Sequence, residues 1–127
     1  MILLDTSIWI EYFKRNEGYI ILIDNLLRQK KAFALDFIFG ELLQGAREHE
    51  KSRIIGIWEI LPKVNISGIG FYAGKYSMEN KLWDKGIGLI DCAIIYSTIE
   101  SKSLLWTLDK KILSFTDEKY LFVPPRL

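Results

Sequence analysis

Short, wholly apolar runs alternate along the chain with stretches whose apolar positions recur every three or four residues. Met1-Ile2-Leu3-Leu4, closed by Asp5, predicts a buried first strand. Ile8, Trp9, Tyr12 and Phe13 follow at helical spacing, with Thr6 or Ser7 placed to cap the helix and Gly18 breaking it. Ile20, Ile23 and Leu27 predict a second helix, closing on Arg28, Lys30 and Lys31, cations that suit a helix C-terminus. Residues 32–35 predict a second strand. Asp36 then caps a helix carrying Ile38, Phe39, Leu42 and Leu43, with Gly45 near its end. A helix over 51–61, a strand over 62–66, a helix over 72–83 and a loop at 85–88 come next. Another helix begins close to Ile90 and carries Ala93, Ile94 and Ile95. A strand over 103–108, a short helix over 110–115 and an edge strand over 120–123 complete the order before Pro124-Pro125.

Strands that alternate with helices predict an α/β domain: a mostly parallel central sheet of about five strands with helices on both faces. The 127 residues suffice for one domain with a real core. Half the residues are apolar, and the mean hydropathy of +0.12 is high for a small soluble chain. That surplus predicts apolar surface covered by another subunit. No apolar stretch reaches the roughly 18 residues of a membrane span and no signal-peptide pattern opens the chain, which points to the cytoplasm. Cys92 is the only cysteine and His49 the only histidine, which excludes an internal disulfide and a Cys/His zinc cluster and disfavours a His-based metal centre. Cys92, inside the run Leu89 to Ile95, reads as core, as do Trp9, Tyr12 and Phe13, while His49 lies in a charged stretch and reads as exposed. The net charge of +1 lacks the strongly basic footprint of a tight nucleic-acid binder. It leaves room for a local phosphate-binding rim, for which Lys14, Arg15, Lys110 and Lys111 are the candidates.

Four carboxylates stand out by position. Asp5 and Asp109 each end a predicted strand, Glu41 lies at the edge of a buried helix face, and Asp91 occupies the first turn of an apolar helix. Taken singly, each has a plain explanation as a cap, a turn residue, a solvated helix residue or compensation of the helix dipole. Taken together, all four can meet at the carboxyl edge of one parallel sheet, where ligands bind in open α/β folds. Two like charges about 4 Å apart repel by roughly 4 kcal/mol at an effective dielectric near 20. Acids so gathered either protonate in part or hold a divalent cation, and hard oxygen donors suit Mg²⁺ or Mn²⁺. Such a centre can activate water and stabilise the charge that develops on a phosphate, so metal-dependent phosphodiester hydrolysis is the natural chemistry.

The chain resembles the PIN-domain ribonucleases, in particular the VapC-type toxins of toxin–antitoxin pairs. The resemblance rests on four blocks in order: Ile2-Leu3-Leu4-Asp5-Thr6-Ser7-Ile8-Trp9-Ile10, Glu41-Leu42-Leu43-Gln44-Gly45-Ala46-Arg47, Leu89-Ile90-Asp91-Cys92-Ala93-Ile94-Ile95 and Leu105-Trp106-Thr107-Leu108-Asp109-Lys110-Lys111. It covers essentially the whole chain. It implies an endoribonuclease whose Asp5, Glu41, Asp91 and Asp109 hold Mg²⁺ or Mn²⁺ directly or through water. Thr6, Ser7 and Thr107 would orient a carboxylate, a water or the phosphate. Attack of an activated water on RNA would leave a 5′-phosphate and a 3′-hydroxyl. It also implies a homodimer and an antitoxin, a small protein that wraps the toxin and blocks the acids, often with an arginine. Two features depart from the family pattern: Asp36 stands where relatives tend to carry a small hydroxyl cap, and Lys81, Trp83, Asp84 and Lys85 replace an arginine-rich stretch. The alternatives are a housekeeping PIN nuclease without an antitoxin and an inactive PIN-like binding module. A dinucleotide-binding fold is disfavoured because no G-x-G-x-x-G follows the first strand.

Overall fold

In the computed structural model, which describes residues 1–126, three parallel strands form the sheet in the order β2-β1-β3. The strands are β1 (Ile2–Leu4), β2 (Ala32–Phe33) and β3 (Leu104–Trp106), with Ile2 opposite both Ala32 and Leu104 and Leu4 opposite Trp106. The helices are α1 (Thr6–Phe13), α2 (Glu17–Arg28), α3 (Asp36–Gln44), α4 (Lys51–Ile60), α5 (Ile69–Asn80), α6 (Leu89–Glu100) and α7 (Lys110–Phe115). Between β1 and β2 the chain runs one way across the sheet, and between β2 and β3 it runs the other way. The Lys63–Ala34 bridge carries the chain one position further out beyond β2, so right-handed crossovers set α1–α4 on one face, and the return to β3 sets α5–α6 on the other. β1 is buried throughout because it is covered on both sides, which is why it reads as an unbroken apolar run.

The core gathers where these layers meet. Trp9 is fully buried, with Tyr12, Phe13 and Phe39 packed around it at ring-centroid distances of 5.3–6.0 Å. Cys92, Ala93, Ile94 and Ile95 of α6 are all buried, and the Cys92 thiol is a core group.

The expectation of about five strands is corrected to three. The stretches at 62–66 and 120–123 each contribute one isolated parallel bridge, Lys63 to Ala34 and Leu121 to Leu105. Proline explains both. Pro62 and the pair Pro124-Pro125 have no backbone N–H to extend a ladder, so each edge segment leaves the sheet after one pairing. Asp36 is not a cap: it is the first residue of α3, exposed, and Leu35 at the N-cap makes no side-chain capping bond. Neither Thr6 nor Ser7 caps α1, because Asp5 does so, accepting from the Ser7 backbone N–H. The helix expected at 72–83 lies three residues earlier, between Gly68 and Lys81, both in the left-handed region. Among the described residues, no helix is long and apolar enough to cross a membrane.

Candidate active site

The pairing of β1 with β3 builds the centre of the site. Leu4 and Trp106 lie side by side, and the Asp5 N–H donates to the Trp106 carbonyl at 3.0 Å, which carries the ladder one step past the strands. Asp5 and Thr107 thereby become neighbours although 102 positions separate them, and the Thr107 hydroxyl donates to Asp5 Oδ2. The same hydroxyl accepts from the Asp109 N–H at 3.0 Å. Ser7 makes a second brace: its hydroxyl donates to Asp5 Oδ2 at 3.2 Å and accepts from the Leu108 N–H at 3.0 Å. With the Ser7 N–H on Oδ1 at 2.9 Å, Asp5 accepts three hydrogen bonds. A carboxylate has about four acceptor directions, so one is left for a ligand.

Asp109 caps α7 as Asp5 caps α1. Its Oδ1 accepts from the Lys111 and Ile112 N–H groups at 2.9 and 3.0 Å. Glu41, on α3, is exposed and accepts the Thr6 hydroxyl on Oε1 at 2.8 Å. Asp91 sits in the first turn of α6, half-buried.

Electrostatics ties the four together. The Asp91 carboxyl is pushed up to about 6 by burial, then by the negative charges of Asp109, Asp5 and Glu41, with the nearby Lys111 ammonium acting in the opposite sense. Asp5 is also raised, mainly by burial and in part by Asp109, while its bonds from Thr107 and Ser7 pull it down. Lys111 reaches the field of Asp91 because its Nζ lies 3.4 Å from the Gly86 carbonyl in the loop that precedes α6. Gly86 has φ 73°, a left-handed conformation that favours glycine.

All six residues singled out from the sequence, Asp5, Thr6, Glu41, Asp91, Thr107 and Asp109, thus belong to one neighbourhood at the carboxyl edge of the sheet. They do not form a ready-made cage: among the described residues, no group of three or more Asp, Glu, His or Cys stands at metal-holding distance. The donor set still fits a hard divalent ion. Mg²⁺ keeps several waters and uses only one or two carboxylates, and Asp5 retains one acceptor direction for such an ion.

The basic residues divide. Lys14 and Arg15 line a groove that begins at Thr6 and Glu41, and Lys111 faces Gly86. Arg47, on the same groove, closes the second block but is no rim candidate from the sequence, because Arg47-Glu48-His49-Glu50 has the composition of a solvated turn.

A parallel three-stranded sheet with acids from a strand end, two helices and a second strand end gathered at its carboxyl edge defines a PIN-like α/β domain. The chain belongs to the PIN domain family, whose model matches residues 2–118. It is 26% identical over 116 residues to the ribonuclease VapC32 of two Mycobacterium tuberculosis strains, a match spanning 88% of this chain and 87% of the relative. The fold is similar to a chain in the crystal structure of VapBC2 from Rickettsia felis bound to a DNA fragment from their promoter. The TM-score is 0.68 and the identity 23%, covering 90% of this chain and 92% of that one. The likeness to VapC-type PIN domains read from the four blocks is borne out.

Proposed function

We propose that the protein is a divalent-metal-dependent endoribonuclease and the toxin of a type II toxin–antitoxin pair. The observation that carries this reading is the gathering of Asp5, Glu41 and Asp109 around Asp91 at the end of the β1–β3 pair, in a PIN domain. The ribonuclease name of the mycobacterial relatives supports RNA as substrate, and the VapBC2 assembly supports an antitoxin partner.

Asp5 and Asp91 would hold Mg²⁺ or Mn²⁺, with Asp109 and Glu41 reaching it directly or through water. When bound, the ion would lower the pKa of a water and offset charge developing on the scissile phosphate. The chain's own groups do the rest. Thr107 and Ser7 keep Asp5 in one orientation, with its free acceptor direction available. Thr6 holds Glu41 at the rim. Lys14, Arg15, Lys110 and Lys111 supply positive charge for flanking phosphates, which the acids alone would repel. The products are a 5′-phosphate and a 3′-hydroxyl. Exposed apolar side chains on and beside α5, among them Phe71, Met78 and Trp83, support a homodimer.

The test is cleavage of a mixed structured RNA pool with Mg²⁺, with Mn²⁺ and with EDTA, beside Asp5→Asn. Cutting that needs metal and vanishes in the variant is the expected result. Cutting that persists in EDTA, or at full rate in the variant, would overturn the mechanism.

A further inference from the structure

Of the four acids only Glu41 lines the groove that Lys14 and Arg15 share, and the apolar floor and Arg47 of that groove have no role in the acid site. The groove encloses about 390 Å³ between α1, α3 and the start of α4. The Thr6–Glu41 pair forms its inner end, Phe13 and Leu42 lie on its apolar floor, and Arg15 and Arg47 stand at its rim. We propose that this groove is the subsite for the nucleotide next to the scissile phosphate, its floor receiving the base and its two arginines the flanking phosphates. The inference rests on the ribonuclease reading and adds to it where the RNA strand leaves the acids.

Charge decides the occupant. Four acids repel a polyanion, so a strand held against them needs cations close by. Arg15 and Arg47 have no ion-pair partner within 4.0 Å among the described residues, whose ion pairs are Lys14–Glu11 and Lys51–Glu48. Glu50, the other acid on the groove, already accepts the Arg47 backbone N–H at 3.0 Å. A guanidinium matches phosphate with two parallel hydrogen bonds, and a free pair of them beside an apolar floor suits a nucleotide better than an apolar peptide face. Phe13 is buried and offers no open ring face for stacking. The base would therefore be held by apolar packing, a contact that reads shape rather than hydrogen-bonding edges.

Gly45 provides a separate handle. It lines the groove, has φ −94°, and a Cβ there would meet only the Glu41 carbonyl, at 3.7 Å. Gly45→Phe therefore narrows the groove without backbone strain or loss of charge.

The experiment measures binding of a labelled single-stranded RNA decamer by anisotropy across a salt series, in EDTA so that nothing is cut. Arg15→Ala/Arg47→Ala should weaken binding about tenfold or more at low salt and flatten the salt slope by about 1.4, at about 0.7 per phosphate contact. Gly45→Phe should weaken binding with the slope unchanged. Wild-type affinity and slope in the arginine double variant would overturn the proposal and leave the groove to a protein partner. Wild-type binding by Gly45→Phe would overturn the base subsite. Unchanged melting temperatures exclude misfolding as the cause of any loss. Metal-dependent cleavage by the unaltered protein is read separately, so the ribonuclease reading can stand while the subsite falls.

Discussion

Asp5 and Asp109 are pinned by backbone; Asp91 and Glu41 are not. The first two lie just past strands, at one and three residues beyond β1 and β3, cap the helices that follow and accept backbone N–H groups at 2.9–3.0 Å. The other two project from helices: Glu41 is steadied by one exposed hydroxyl, and Asp91 is governed by burial and by its neighbours' charge. The difference separates two tasks. Acids at strand ends fix where the negative centre is, because sheet register and helix capping place them together. Acids on helices set how strongly that centre seeks a proton or a cation, because their energy depends on what surrounds them.

The largest effect should come from neutralising one acid of each kind. Asp5→Asn and Asp91→Asn are each expected to reduce metal-dependent RNA cleavage by at least about a hundredfold, above the range seen when only an outer partner of a metal ligand is lost. Circular dichroism should show the fold intact. An Asp91 variant that cuts at the wild-type rate would remove the helix-borne acids from the chemistry.

Next comes the brace between the strands. Thr107→Val removes the hydroxyl that joins Asp5 to the Asp109 N–H, and both Thr107 and Asp5 are buried. A stability loss of about 1–3 kcal/mol in urea unfolding is expected, because Asp5 loses a charge-assisted bond it cannot replace with water. Thr6→Val, which releases the exposed Glu41, should change stability by less than about 0.5 kcal/mol. Equal losses in the two variants would erase the distinction between pinned and unpinned acids.

The third effect is on pH dependence. The folded-state pKa of Asp91 lies above the ordinary 3.8, at about 6, so the native state holds a proton that the unfolded chain has given up between those values. Stability from this group is greatest below pH 3.8 and is lost as pH rises through about 6. Asp91→Asn should therefore raise the melting temperature at pH 7, and the gain should shrink as pH falls through that window. Cleavage by the wild type should rise across the same window, since only the ionised carboxylate attracts the cation. A gain in melting temperature independent of pH would show that Asp91 does not titrate there.

Much of this was legible in the residues. Leu3 and Leu4 announce a strand covered on both faces, and the apolar spacing of Ile8, Trp9, Tyr12 and Phe13 announces a helix packed on it. The four acids were visible by position and by the blocks around them. The two outer strands were over-read because apolar β-formers at Val64, Ile66 and 121–123 look like strands, whereas the adjoining prolines limit each to a single bridge. The Thr6–Glu41 bond and the groove behind it had no signal, since 35 positions separate the pair and Arg47 lies in a stretch resembling any solvated turn.

Sequence by itself determined the order of the elements and which side chains are acidic, because periodicity and residue type are local properties. Only the tertiary structure decided that Ser7 and Thr107 tie one strand end to the other, and that Asp91 feels three other carboxylates. Hydrogen bonds act over about 3 Å and charge interactions weaken with distance, and no local pattern encodes separations between residues a hundred positions apart.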